Sequence, residues 1–363
     1  MSQQLHQSQL NPNMRLKHVD SLRGIAALLV ILLHVSESFI KLSDQNHALI
    51  YDVAWYINTG RIGVVIFFAI SGFVLLKSIK ALKPFLIKRF FRLYPAFWLS
   101  LVLSIVFIHH QFPSLSTLFA NISMLPLMFD KEVMIGVYWT LETELIFYVL
   151  GVLIFVMGFS QSPIFICLAS LFFLIVFILL VLINFTAPNH TGLNVMPYHL
   201  SIMFWGGLYR HLYDKPLCKI RIVNFQISLK ILFLLLTLAV FFMPLASLFK
   251  GLYFSEFKSI QFGLANILGL VTFIVLTGYI KITNRFMVWL GTISYSLYLF
   301  HPIVFSAFLD FCNKFLPSAL TQINLFSYLL LNIILTVFLC GFIYRWVEKP
   351  SMAFAKKWSN QYN

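Results

Sequence analysis

The chain has 363 residues, of which 60% are apolar and only 10% are charged, whereas a soluble domain carries about 25% charged residues. This composition, with a mean hydropathy of +0.88, excludes a soluble enzyme and a disordered chain and predicts a polytopic membrane protein. The 26 basic and 12 acidic residues give a formal net charge of +14, but no basic stripe or recognised motif indicates a nucleic-acid partner, and none is expected.

Ten apolar stretches follow one another along the chain, each close to the roughly 20 residues that cross an apolar core of about 30 Å. The segment 113–135 is more polar and is expected to form an external loop or a re-entrant piece. The pattern predicts an all-α fold, a polytopic membrane helix bundle of about ten transmembrane helices. The predicted spans lie near residues 21–40, 61–77, 94–110, 137–157, 163–183, 196–213, 229–249, 259–280, 286–307 and 324–346.

Lys and Arg are distributed unevenly between the two ends of these spans. The N-terminus and the alternate loops hold 20 of the 26 basic residues, and the opposite side holds six. Because cytoplasmic loops are enriched in basic residues, we expect both termini in the cytoplasm. The chain then divides into a polar cytoplasmic tail at 1–19, a transmembrane domain at 20–350 and a cytoplasmic tail at 351–363. The four cysteines lack CxxC or zinc-site spacing, so neither a metal site nor a disulfide framework is expected.

Ionisable residues inside spans are costly, so each one is a functional candidate. In the first span, the spacing from Arg23 to His34 brings both side chains within about 20° of one helix face, about 16 Å apart along the axis. Asp20 precedes Arg23 by one helical turn and is expected to pair with it. A histidine side chain ordinarily titrates near neutrality, which suits a general base, so His34 is a candidate for that role. The alternative is a packed histidine beside a helix-end ion pair.

Arg89 and Arg92 stand at the cytoplasmic mouth of the third span, three positions apart and therefore on one helix face. Two guanidinium groups at this spacing form a fork that fits phosphate or carboxylate. The alternative is a pair of basic anchors that only sets the topology.

Glu142 and Glu144 both lie near the external start of the fourth span. Residues two apart on a helix differ by about 200°, so these carboxylates cannot serve one site from the same face. We expect one to face the bundle and the other to face a loop or solvent. A structural ion pair is the alternative.

Polar residues also enter the second, ninth and tenth spans. Small residues around Ser71 in the second span allow close helix approach. Tyr295 and His301 belong to a Ser/Tyr-rich part of the ninth span, which indicates either a polar cavity wall or interhelical hydrogen bonds. Arg345 and Glu348 at the end of the tenth span predict an interfacial ion pair that closes the helix.

Six of these segments, in this order, resemble the motifs of acyltransferase family 3, a family of integral membrane acyltransferases. The resemblance extends from Asp20 to about Pro350, and it aligns Glu144, not Glu142, with the family's glutamate. Val65 departs from the pattern, since many members carry a polar residue there. The six segments are 20–27 with His34, 67–73, 89–95, 139–141 with Glu144, 294–301 and 348–350.

The resemblance implies transfer of an acyl group, usually acetyl, from cytoplasmic acyl-CoA to a hydroxyl of a cell-envelope glycan such as O-antigen or exopolysaccharide. It implies a multi-pass protein of the bacterial cytoplasmic (inner) membrane, surrounded by membrane lipid. Acyl-CoA is then the donor substrate, and no tightly bound cofactor is expected. Some relatives carry a fused extracytoplasmic hydrolase-like domain, so this bundle is expected to act alone or with a separate extracytoplasmic partner protein.

In this interpretation His34 is the catalytic base or a transient acyl carrier, and Glu144 orients His34 or binds acceptor hydroxyls. Arg23, Arg89 and Arg92 are expected to bind acyl-CoA. Two other function classes stay open, a proton-coupled transporter or flippase for an envelope glycan and a non-catalytic scaffold. The further residues expected to line the cavity are Asp20, Ser71, Trp139, Tyr295 and His301.

Overall fold

The computed structural model describes residues 16–43, 49–186, 195–222, 225–316 and 323–362. Most of the predicted N-terminal tail and the final residue of the predicted C-terminal tail lie outside these ranges. A short hairpin of antiparallel strands, β1 (Lys219–Ile222) and β2 (Phe225–Ser228), connects α8 to α9. The described helices are α1 (Lys17–Ser43), α2 (Leu49–Tyr56), α3 (Thr59–Ser78), α4 (Leu82–Ser104), α5 (Leu115–Ile122), α6 (Trp139–Val156), α7 (Pro163–Thr186), α8 (Met196–Asp214), α9 (Leu229–Phe254), α10 (Phe257–Ile274), α11 (Arg285–Thr292), α12 (Ser294–Phe315), α13 (Leu325–Ile343) and α14 (Lys349–Ser359).

The predicted all-α polytopic bundle is confirmed. Within the described ranges, nine helices are long and apolar enough to cross a membrane. The predicted span 196–213 is also helical, as α8, although it is not among those nine. Every residue of α8 from 198 to 209 is buried inside the protein. Because α8 contacts neighbouring helices on all sides there, it tolerates polar residues that a lipid-facing helix would not.

The predicted ninth span, at 286–307, has the wrong boundaries. Ile293 (φ −97°, ψ 5°) ends α11, and the crossing helix α12 begins at the next residue and ends at Phe315. Helix α11 packs against the start of α1 so closely that a Cβ on Gly291 would overlap the backbone of Asp20. Apolar residues continue on both sides of this helix boundary, so hydropathy alone does not reveal it.

Helix α3 lies at the centre of the bundle, between α1 and α8. A Cβ on Gly72 of α3 would overlap the carbonyl group of Met203 in α8, and a Cβ on Gly206 of α8 would overlap that of Ala69 in α3. Gly63 approaches the backbone of α1 in the same way. Small residues let helix backbones pack this closely in a membrane, so α3 forms a firm wall for the cavity described below.

The chain after Pro350 packs onto α4 as helix α14. Ser351 Oγ donates to the carbonyl oxygen of Phe91 at 2.6 Å, and the rings of Phe354 and Phe91 lie 5.1 Å apart. A π-helical turn at Tyr344–Glu348 leads into α14. Residues of the predicted C-terminal tail therefore form part of the bundle and contribute to the cavity wall.

Candidate functional site

A cavity of about 800 Å³ lies among α1, α3, α4, α6, α12 and α14. It occupies the end of the bundle at which the basic segment 77–92 lies, the end predicted to be cytoplasmic. Six cations against two carboxylates in its wall favour an anionic ligand. The charged lining residues are Asp20, Arg23, Lys80, Lys88, Arg89, Arg92, Glu144 and Lys356.

Arg23 and Asp20 form the pair that their spacing predicts. Arg23 Nη1 donates to Asp20 Oδ1 at 3.0 Å, and 29% of the Arg23 side chain is exposed. Both residues line the cavity, as expected. The pair holds a guanidinium group on the wall formed by α1 while leaving part of it accessible.

Arg89 and Arg92 also line the cavity together, which places both on the predicted face of α4. Helix α4 begins at Leu82, earlier than predicted, so both residues lie within it. Arg89 donates to Ser78 Oγ at 3.2 Å, and its guanidinium lies over the ring of Tyr148 at 5.2 Å. Among the described residues no carboxylate forms an ion pair with Arg89, so its charge is available to an anionic ligand.

Arg92 differs because it faces a buried carboxylate, Glu348. Arg92 Nη1 lies 3.4 Å from Glu348 Oε2, and the Glu348 side chain is only 1% exposed. Ser296 of α12 donates to the other carboxylate oxygen. The predicted interfacial pair of Arg345 and Glu348 is therefore wrong: Glu348 is buried and its ion-pair partner is Arg92 of α4, whereas Arg345 is exposed. The pair connects α4, α12 and the start of α14 around the cavity.

Glu144 is the carboxylate of α6 that reaches the cavity. Its Oε1 accepts hydrogen bonds from Tyr148 Oη at 2.5 Å and from Ser71 Oγ at 3.1 Å. Its Oε2 accepts no hydrogen bond from any described side chain or backbone group. Glu144 therefore keeps one free acceptor oxygen in the cavity wall.

Glu142 points away from this cavity and is completely buried. Its Oε2 and Oε1 accept the backbone N–H groups of Leu127 and Met128 at 2.9 and 2.8 Å. The expectation that one glutamate faces the bundle and the other a loop is confirmed. Glu142 does not face solvent, however, because its two oxygens satisfy two backbone donors of the loop after α5.

His34 makes its contacts with the backbone of α1 and with His301 of α12. Its Nδ1 lies 3.0 Å from the Val30 carbonyl oxygen and 3.3 Å from His301 Nε2. His301 Nδ1 in turn lies 3.1 Å from the Leu297 carbonyl oxygen. A carbonyl oxygen only accepts, so both neutral rings carry their hydrogen on Nδ1. The Nε2 of His34 then holds a lone pair that no described residue uses.

The expected contact between His34 and Glu144 is absent from the described residues. The hydrogen-bond partners of Glu144 are Ser71 and Tyr148, and those of His34 are on α1 and α12. Glu144 on α6 is hydrogen-bonded to α3, whereas α1 packs against α12 as well as against α3. The prediction that Glu144 orients the imidazole is therefore wrong in this structure.

Trp139 and His301 do not line the cavity, contrary to expectation, whereas Ser71 and Tyr295 do. Trp139 packs instead against His199, with ring centroids 5.3 Å apart. His301 is fully buried behind the cavity wall.

Tyr298 and Tyr148 also line the cavity; the sequence indicates the segment that contains Tyr298 as a possible cavity wall but does not indicate Tyr148. Tyr298 lines the cavity, and its ring lies 6.2 Å from that of His301, so it connects the cavity wall to the histidine pair. Its Oη hydrogen-bonds Thr140 Oγ1 at 2.7 Å. Helical spacing was the available signal, since Tyr298 stands one turn from His301 and Tyr148 stands one turn from Glu144.

A family model described as an acyltransferase domain matches residues 16–345 of the chain. The matched range includes every charged cavity residue except Lys356, together with His34 and His301. No curated protein and no solved structure matches the chain significantly.

Proposed function

Since this chain belongs to acyltransferase family 3 and is a membrane acyltransferase, we propose that it transfers an acetyl group from acetyl-CoA to a hydroxyl of a cell-envelope glycan. The observation that carries this proposal is the cavity, in which six basic side chains accompany a carboxylate with a free acceptor oxygen. The proposed location is the bacterial inner membrane, with the basic end of the cavity facing the cytoplasm.

The donor is expected to enter with its phosphates at the basic end. Coenzyme A carries several negative charges on phosphate groups, and guanidinium groups bind phosphate through paired hydrogen bonds. Arg89 supplies the charge without a carboxylate partner, and Arg23 and Arg92 add to the positive field. A volume of about 800 Å³ lies within the roughly 300–1,000 Å³ typical of sites that enclose a sizeable ligand.

His34 supplies the base in this proposal. Transfer requires the acceptor oxygen to attack the thioester carbonyl carbon while its proton moves to a base; the C–S bond then breaks and the thiolate leaves. The Val30 carbonyl holds the Nδ1 hydrogen of His34, so Nε2 has the lone pair that this step needs. Attack by Nε2 itself, with a transient acyl-histidine, uses the same tautomer.

Because Tyr298 lies between the cavity and the histidine pair, the proposal requires the acyl end of the donor to pass Tyr298. Glu144 is proposed to accept a hydrogen bond from a substrate hydroxyl through its free Oε2. Its fixed partners, Ser71 and Tyr148, would hold it in place for this.

The decisive test is labelling of envelope glycans with acetyl-CoA. Membranes that contain the wild-type protein should transfer radiolabelled acetyl groups to envelope polysaccharide, and mass spectrometry should find the same modification only in cells that carry the gene. Membranes with His34→Ala should show none. Proton-coupled glycan uptake into vesicles without acetyl transfer would instead identify a transporter.

A further inference from the structure

A second cavity, of about 680 Å³, lies among α3, α7, α9 and α10. On α3 its lining residue Arg61 stands ten positions from Ser71 of the first cavity, which is about 15 Å along the helix axis. The two cavities therefore occupy opposite halves of the bundle. By the distribution of basic residues, the second lies towards the extracytoplasmic face.

Its polar side is basic. Arg61, Lys250 and Lys258 line it, and no acidic residue is part of the lining. Glu256 forms an ion pair with Lys250 at 2.9 Å from outside the lining, which compensates one of the three charges. The polar lining is completed by Asn58, Ser247, Ser259 and Gln261.

Arg61 is the most informative of these residues. It is partly buried, its guanidinium lies over the ring of Phe262 at 5.1 Å, and no carboxylate among the described residues pairs with it. A guanidinium group inside a membrane protein is costly unless an anion accompanies it. The structure thus holds a cation at a cavity wall to which no described residue supplies a counter-charge.

The remaining wall is apolar and comes from three helices. Phe177 and Val181 of α7, Met243 of α9 and Phe262 of α10 form it. A small hydrophilic anion would make no favourable contact with these apolar side chains. A ligand that combines a phosphate with hydrocarbon would contact both the basic and the apolar side of the cavity. The guanidinium group would bind the phosphate through paired hydrogen bonds, and the hydrocarbon would contact the apolar side chains.

We propose that this second cavity binds the phosphate group of a lipid, with the phosphate on Arg61 and Lys258 and the hydrocarbon against Phe177, Val181 and Met243. Two sources share this chemistry, an anionic phospholipid of the bilayer and a polyprenyl phosphate. The proposal does not depend on acyl transfer.

The test uses the full-length protein in a non-ionic detergent, with lipid binding measured by native mass spectrometry. Phosphatidylglycerol should bind at least about tenfold more tightly than diacylglycerol with the same acyl chains. Arg61→Gln should lose most of this preference, and Lys258→Gln should lose part of it. Arg285→Gln, which removes an exposed arginine distant from this cavity, is the matched control and should bind like the wild type.

Competition then identifies the source and the ligand class. Displacement of phosphatidylglycerol by a polyprenyl phosphate at equal concentration would assign the site to that lipid, and its failure to compete would assign it to bilayer phospholipid. Equally effective displacement by inorganic phosphate would overturn the lipid part of the proposal. The site would be overturned if Arg61→Gln and Arg285→Gln lost phosphatidylglycerol binding equally. It would also be overturned if the wild type bound diacylglycerol as tightly as phosphatidylglycerol. If Arg61→Gln fails to fold, lipid binding by Lys258→Gln is compared with that by Arg285→Gln.

Discussion

Replacing Glu142 and Glu144 by glutamine, one at a time, separates a structural carboxylate from a functional one. In Glu142→Gln the side chain keeps one acceptor oxygen for two backbone donors, because its amide NH₂ cannot accept. Either Leu127 or Met128 then loses its bond of 2.9 or 2.8 Å to this fully buried side chain. A hydrogen bond to a charged group contributes about 1.5–3 kcal/mol.

Glu144→Gln removes no acceptor that the protein itself uses. Both donors, Ser71 and Tyr148, bond the same oxygen, and an amide oxygen in that place accepts from both. We expect the free energy of unfolding to change by about 1 kcal/mol or less. The free Oε2 position becomes an NH₂ donor, so the proposed bond to a substrate hydroxyl is lost and transfer should fall severely.

The assay measures two quantities on each purified variant, thermal stability in detergent and acetyl transfer per folded molecule. Glu142→Gln should unfold at a lower temperature and retain activity per folded molecule, and Glu144→Gln should show the reverse. Glu132→Gln, which changes an exposed glutamate in the same loop region, controls for loss of charge. An active Glu144→Gln beside a stable, inactive Glu142→Gln would show that the roles are assigned to the wrong carboxylates.

Further outcomes are expected for the proposed base, for the two arginines, for helix packing and for the topology. His34→Ala should accumulate in the membrane like the wild type but lose transfer, and activity in this variant would remove the proposed base. Arg89→Ala should weaken acyl-CoA binding, measured by isotope-labelled donor, by about tenfold without loss of stability. Arg92→Ala should weaken it too but should also destabilise the protein, because it leaves a buried carboxylate unpaired; equal stability of the two variants would contradict this. Gly72→Leu should prevent accumulation, because its Cβ would overlap the backbone of α8, whereas Gly136→Leu, with open space around it, should accumulate normally. A cysteine added at the C-terminus should react with a membrane-impermeant reagent only from the cytoplasmic side, and labelling from the outside would reverse the predicted topology.

Local features of this protein follow from its sequence alone. Among the described residues, the nine helices that are long and apolar enough to cross a membrane appear in the sequence as apolar stretches, because a membrane core of about 30 Å requires roughly 20 such residues. The Asp20–Arg23 pair follows from helical spacing. The same spacing places Arg89 and Arg92 on one face of α4, and it separates the directions of Glu142 and Glu144. These properties depend on residues a few positions apart on one helix.

The partners across the bundle depend on the tertiary structure. Arg92 pairs with Glu348, and His34 hydrogen-bonds His301, which is 267 positions away. Glu144 binds Ser71 of α3 and Tyr148 of its own helix rather than His34. Helical periodicity defines the face on which a side chain lies, but the packing of the other helices decides which side chain meets it there.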